Sequence, residues 1–272
     1  MYKLLISDLD ESLLNDSGNI STNDLATIKL MQQQGVKFIP NTGRGFASVQ
    51  PLLKQIGTFK QAGEYVISYN GGVIVENSDN HVLTSHYLPH QIVAQIYQLA
   101  RSQSDLGVHI YTLNDVYVYN IDNYEQAYID SRKVQTIEFN EPTLDSLTTS
   151  PIVKILVENL DHDRLVEFQK LILANIAIPL SQTFSSNRYL EFNPTGVDKG
   201  NAVLELCQKL AIEPADVITL GDNDNDLPMI KTAGMGVAVS NSINSIKKAA
   251  QLTLKATNND NPITEIYQTL FN

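Results

Sequence analysis

The sequence predicts an α/β protein: a parallel-sheet domain interrupted by an inserted α+β unit. Three observations carry this. Apolar runs and helix-period segments alternate through the first third of the chain, as in a parallel sheet with right-handed crossovers. The middle contains strand-period segments joined by turn residues, which indicates antiparallel hairpins. From about Pro194 the strand–helix alternation returns.

Leu4, Leu5 and Ile6 form an apolar run that ends in Asp8 and Asp10, so a buried first strand is expected there. Ser21 and Thr22 are candidate caps for a helix carrying Leu25, Ile28 and Met31, with Gly35 as its stop. Val36 to Pro40 reads as a second strand leading into Asn41-Thr42-Gly43-Arg44. Tyr65 to Ser68 reads as a third, followed by Asn70-Gly71-Gly72 and the run Val73 to Val75. In the middle, Pro89 opens a helix with Ile92, Val93, Ile96 and Leu99. Segments 107–112 and 116–120 alternate around Asn114-Asp115 as a hairpin. A strand (Pro151 to Glu158), a helix (Asp163 to Ala174) and a second hairpin-like pair ending at Phe192 complete that unit. The last part offers a helix from Lys199 to Leu210, a strand from Asp216 to Leu220, a strand from Met235 to Val239 and a helix from Ile243 to Ala250.

The chain has 272 residues, 43% hydrophobic and 18% charged, the composition of a folded protein with a substantial core. Its net charge of −11 disfavours nucleic acid and anionic membranes as partners, and no run is long enough to cross a bilayer. Cys207 is the single cysteine, so no internal disulfide forms, and it reads as a small buried hydrophobe. The first residues lack a basic region and a cleavage site, so a reducing, cytoplasmic location is expected. The five histidines show no ligand spacing.

Polar clusters fall at the ends of predicted core elements: Asp8/Asp10, Thr42/Arg44, Lys199, and Asp222/Asn225/Asp226. Three follow strands and one starts a helix, so all four can converge on one sheet edge, where open α/β sheets bind ligands. Paired acids spaced i, i+2 repel one another unless a proton or cation intervenes. One divalent metal on carboxylate oxygens reverses the sign of so acidic a pocket, and hard oxygen ligands suit Mg²⁺. Lys199, Arg44 and Thr42 can then hold phosphate oxygens, the combination phosphoryl transfer needs. Other readings stand beside these: Arg44 as a surface residue, Asp226 as a helix cap, and Asn70 with its glycines as a tight turn only.

Asp8-Leu9-Asp10-Glu11-Ser12, Thr42-Gly43-Arg44, Lys199 and Gly221-Asp222-Asn223-Asp224-Asn225-Asp226 resemble, in order, the four motifs of the haloacid dehalogenase (HAD) superfamily. The mid-chain insertion and the Asn-Gly-Gly turn resemble its Cof-type (subclass IIB) phosphatases, which carry an α/β cap (C2B type) between motifs two and three. The resemblance implies a Rossmann-like HAD core at residues 1–85 and 191–272, and a cap at 86–190 that closes over it. It implies an Mg²⁺-dependent phosphatase for small phosphorylated metabolites, sugar phosphates or phosphorylated cofactors. Asp8 would be the nucleophile and Asp10 the general acid/base, its backbone carbonyl on the metal. Lys199 would neutralise Asp8 and phosphate. Ser12, Thr42, Gly43, Arg44, Asn70 and Asn225 would surround the substrate. Asp8, Asp10 and Asp222 would form the metal site, with Asp226 bound or just behind it. A phosphosugar mutase and a weakly active metabolite-binding regulator are the alternatives. One position departs from the family pattern: Glu11 stands where glycine is usual, followed by Ser12 where threonine is usual.

Overall fold

A computed structural model of the chain describes residues 2–132 and 134–271. In chain order the elements are β1 (Leu4–Ser7), α1 (Thr22–Gln33), β2 (Lys37–Pro40), α2 (Phe46–Ile56), β3 (Tyr65–Ser68), β4 (Val73–Glu76), β5 (His81–Ser85), α3 (His90–Arg101), β6 (Gly107–Thr112), β7 (Val116–Tyr119), α4 (Asn123–Ser131) and β8 (Ile137–Glu138). There follow β9 (Ile152–Glu158), α5 (His162–Asn175), β10 (Leu180–Ser185), β11 (Tyr189–Pro194), α6 (Lys199–Leu210), β12 (Val217–Gly221), α7 (Leu227–Thr232), β13 (Met235–Ala238), α8 (Asn244–Ala249), β14 (Leu252–Thr253) and α9 (Pro262–Leu270). These fall into two compact units, residues 1–84 with 198–272, and residues 85–197.

The first unit is built on a five-stranded sheet in the order β14-β13-β12-β1-β2, every pair parallel. β1 lies between β12 and β2, and Leu4, Leu5 and Ile6 have no exposed surface, which is why that strand reads as a continuous apolar run. The chain leaves β1 towards β2 on one side and returns at β12 on the other, so the strand order reverses beside β1. That reversal opens a crevice at the carboxyl edge of the strands. Helix starts follow local chemistry: the Ser21 side chain caps α1 by accepting from Asp24 N–H. A small sheet, β3-β4-β5, is tied to the main one by a parallel bridge between Asn41 and Ile67.

The second unit is a six-stranded sheet, β10-β11-β9-β6-β7-β8, antiparallel in all pairs but β7–β8. Alternation gives it two unlike faces. Val108, Ile110, Ile155, Val157, Leu190 and Phe192 join apolar residues of α3 and α5 in one core. His109, Lys154 and Glu191 lie at the intervening positions and are buried in polar company, with Lys154 Nζ 2.6 Å from Glu191 Oε2. The expected boundary at 190/191 cuts β11, which pairs with β9 and β10 of this unit, so the second unit runs on to Val197. No helix among the described residues is long and apolar enough to cross a membrane.

Candidate active site

The residues of all four sequence clusters come together in the first unit, at the carboxyl edge of β1, β2 and β12. Asp8 follows β1 directly. Its N–H still donates to the Leu220 carbonyl (2.9 Å), so the sheet fixes its backbone. Its side chain is buried, with 6% of the residue exposed. Lys199 is the first residue of α6. The Asp198 side chain caps that helix, accepting from Gly200 and Asn201 N–H at 2.8 Å each, and the Asn41 side chain donates to the Lys199 carbonyl at 3.1 Å. The wholly buried Lys199 ammonium donates to Asp8 Oδ1 (2.5 Å) and Asp226 Oδ1 (2.6 Å).

Asp226 is fully engaged. Its second oxygen accepts from the Asp222 and Asn223 amides at 2.8 and 3.0 Å, closing a capping box with Asn223. Gly221 is required beneath it, because a Cβ there would lie 2.5 Å from the Asp226 Cβ. Asp222 Oδ1 accepts from the Ser12 hydroxyl at 2.6 Å. Among the described residues, Asp8 Oδ2 and Asp222 Oδ2 accept no hydrogen bond. These are the carboxylate oxygens left open at the centre.

Asp8, Asp222 and Asp226 are all buried, and each offers an oxygen within 4.8 Å of the others. One lysine serves three carboxylates, and the pKa directions follow. Burial pushes the Asp8 carboxyl up to about 7; Lys199 opposes this, and repulsion from Asp226 and Asp10 adds to it. Burial, with Asp226 and Asp8 as neighbours, pushes Asp222 up to about 9 against the Ser12 hydrogen bond. Burial alone would depress the Lys199 ammonium, but its two carboxylates outweigh burial and raise it above the ordinary lysine range. A lone ion pair does not raise both partners. Here both rise because burial lifts the acid, while two carboxylates together hold the lysine charged. A buried all-oxygen donor set with surplus negative charge is the chemistry that accepts a hard divalent cation such as Mg²⁺.

Asp10 lies in the turn beyond β1 and takes a different cation. Arg44 Nε donates to its Oδ2 at 2.8 Å and an Arg44 terminal nitrogen to its Oδ1 at 2.5 Å, a bidentate pair. The two acids therefore avoid one another by turning to Arg44 and Lys199, an arrangement that strand spacing alone does not reveal. Thr42 is buried, and its hydroxyl oxygen accepts from Arg44 N–H at 3.1 Å. Asn225 Nδ2 donates to Asn70 Oδ1 at 3.3 Å. Gly43 packs at the Asn70 amide, where a Cβ would meet Asn70 Oδ1 at 3.1 Å. Asp224 is exposed, accepting from the Ser245 hydroxyl at 3.1 Å. Sequence reasoning passed over Asn41 and Asp198, although an aspartate immediately before a helix start is a capping signal.

Glu11 explains its own departure. Its φ is +61°, the left-handed conformation that glycine adopts without penalty, and its side chain is exposed. The Asn241 side chain holds its carbonyl at 2.8 Å. The turn expected of glycine is kept, with a glutamate facing solvent.

A parallel sheet with acids beyond adjacent strands, a buried lysine at a helix start and an inserted unit define a hydrolase of the haloacid dehalogenase type. The family model for haloacid dehalogenase-like hydrolases matches residues 5–266, and the chain belongs to that family. It is 29% identical over 262 residues to the Bacillus subtilis protein named "Putative phosphatase YxeH", covering 95% of this chain and 94% of that one. It is 25% identical over 272 residues to 5-amino-6-(5-phospho-D-ribitylamino)uracil phosphatase YitU of the same organism, covering 98% and 97%. The crystal structure of a haloacid dehalogenase-like hydrolase from Bacteroides thetaiotaomicron superposes with a TM-score of 0.87 at 29% identity, covering all of both chains.

Proposed function

We propose that this protein is an Mg²⁺-dependent phosphatase that hydrolyses small phosphorylated metabolites, sugar phosphates or phosphorylated cofactors, through an aspartyl-phosphate on Asp8. The observation that carries the reading is the state of Asp8: one oxygen is held by Lys199, and the buried carboxylate shares a cluster with Asp222 and Asp226. A carboxylate fixed in this way is presented for in-line attack with little loss of freedom on reaction.

Asp8 Oδ2 forms a bond to phosphorus as the bond to the leaving alkoxide breaks. Asp10 gives that oxygen a proton, then takes one from the water that hydrolyses the aspartyl-phosphate and regenerates Asp8. To do so Asp10 must exchange at least one of its Arg44 bonds. Lys199 offsets charge on Asp8 and on phosphoryl oxygens. Thr42, the Gly43 backbone, Arg44 and Asn225 are the groups available to those oxygens, and Ser12 acts on Asp222. Asp8, Asp222 and the Asp10 carbonyl would hold the Mg²⁺, with Asp226 fixing the Asp222 loop and Lys199 from behind. When bound, the cation supplies charge neutralisation to the phosphoryl group. The relatives' names support a metabolite ester as substrate, and the chain's acidic balance disfavours nucleic acid.

The test is phosphate release from a panel of phosphorylated metabolites with Mg²⁺, beside Asp8→Asn and a chelator control, in isotopically labelled water. Turnover lost in both controls, with solvent oxygen in the phosphate, is the expected result. Phosphoryl transfer without phosphate release indicates a mutase. Silence across the panel from folded protein refutes the phosphatase assignment.

A further inference from the structure

The segment after β3 is the most strained backbone near the site. Tyr69, Asn70 and Gly71 are consecutively left-handed, with φ of 55°, 57° and 96°. Such a conformation is unusual for asparagine and a real cost for tyrosine. Something must hold it, and the partners are the loops of the site. Tyr69 N–H donates to the Arg44 carbonyl (3.1 Å) and Asn70 N–H to the Thr42 carbonyl (3.0 Å). The Tyr69 ring fills the space over Gly45, where a Cβ would meet its hydroxyl at 2.6 Å, and it meets Phe46 edge-on. Gly71 closes on the cap of α6: a Cβ there would lie 2.4 Å from the Asp198 carbonyl oxygen. The buried Asn70 side chain then reaches across to accept from Asn225 Nδ2 at 3.3 Å. One three-residue turn thus touches the Thr42–Arg44 loop, the residue preceding Lys199, and Asn225.

We propose that Asn70 is a positioning residue. Its left-handed backbone fixes the Thr42–Arg44 loop and its amide oxygen orients Asn225, so these groups keep their spacing while Asn70 itself contacts no part of the substrate. The kinetic consequence rests on the phosphatase reading above; the tie between Asn70 and Asn225 does not. The geometry also explains why asparagine serves here. It tolerates the left-handed region better than other residues with a side chain and carries an acceptor at the required reach.

Asn70→Gly keeps the backbone conformation and removes only the amide arm, so it is the informative variant. The experiment is a double-variant cycle with Asn225→Ala on Mg²⁺-loaded protein, using p-nitrophenyl phosphate as the probe. A positioning role predicts that Asn70→Gly lowers kcat/KM roughly tenfold, the scale of one coupled hydrogen bond, and has no further effect once Asn225 is alanine. Losses that multiply would mean that Asn70 contacts the substrate directly, and would overturn the proposal. A second readout needs no turnover: the Asn225 side-chain amide signals in the ¹⁵N spectrum of full-length protein, assigned by their absence from Asn225→Ala. They should shift and exchange faster with solvent in Asn70→Gly. If they do not change, the tie is absent and the proposal fails, whatever the kinetics. If wild-type protein is silent on the probe while the amide signals respond, the phosphatase reading is what has failed.

Discussion

Replacing Lys199 with methionine removes one charge from the centre of the site while keeping a side chain of similar length in a wholly buried position. Two charge-assisted hydrogen bonds disappear, at 2.5 Å to Asp8 and 2.6 Å to Asp226. Both carboxylates then lie buried with no cation beside them, which pushes the already raised Asp8 carboxyl further up. Transition-state stabilisation should fall by about 3 kcal/mol, the scale of losing one preorganised donor, which is roughly a 10²–10³-fold loss of kcat. Folding should also suffer, since breaking a buried ion pair from one side costs roughly 3–5 kcal/mol. Proton uptake by Asp8, whose carboxyl burial already raises, will bring the loss towards the lower figure. Steady-state kinetics on p-nitrophenyl phosphate, with urea unfolding of the same preparations, measures both. Adding Asp8→Asn should then cost little more stability, because the orphaned carboxylate is gone. A Lys199→Met enzyme that is stable and turns over at near-normal rate would refute the claim that Lys199 supports Asp8.

Three further outcomes follow from the same geometry. Ser12→Ala removes the hydroxyl that donates to Asp222 Oδ1 and should weaken Mg²⁺ binding roughly tenfold to a hundredfold, measured by calorimetry; unchanged affinity would separate Ser12 from the metal site. Glu11→Gly relieves a left-handed glutamate and should stabilise the fold by up to about 1 kcal/mol in urea unfolding, with turnover of a small ester little altered. A loss of stability there would mean that the exposed side chain makes a contact of value. In metal-free protein Asp8 and Asp222, raised by burial to about 7 and about 9, bind protons that the unfolded chain has released, so stability is lost as pH rises through those values. His109, pushed down to about 3 by burial, works the other way, gaining stability as pH rises to its ordinary value of about 6.5. The clean window therefore starts at about pH 7. Tm with chelator should fall from there to about pH 9, and saturating Mg²⁺ should flatten the fall; equal slopes in both conditions would count against a cation among these acids.

The parts of the fold that were legible are those where local pattern and tertiary demand agree. β1 is apolar at its first three positions because both faces of an interior parallel strand are covered, and its end is marked by acids. The predicted helix at Lys199 to Leu210 and the hairpin around Asn114-Asp115 are likewise present as α6 and the β6–β7 pair. α2 went unpredicted because Pro51 interrupts its pattern. α9 is announced only by Asn261 and Pro262, a left-handed residue and a proline at the first turn, after a polar stretch that looks like a loop. α4, β5 and the two-residue β8 have too little periodicity to separate from turns. At the site, motif order picked out residues that the fold brings together, but not their partners. Arg44 pairs with Asp10 and Ser12 donates to Asp222, partners that the motifs do not announce. Which cation an acid faces depends on rotamers and loop course, and neither is written in spacing.

The central claim is that Asp8 carries the phosphoryl group. Rapid acid quench of the Mg²⁺-loaded enzyme during turnover, followed by peptide mapping by mass spectrometry, tests it most directly. The account predicts one phosphoryl group on the peptide containing Asp8, absent from Asp8→Asn and from chelator-treated protein. Phosphate release with no phosphorylated Asp8, persisting in Asp8→Asn, would contradict it.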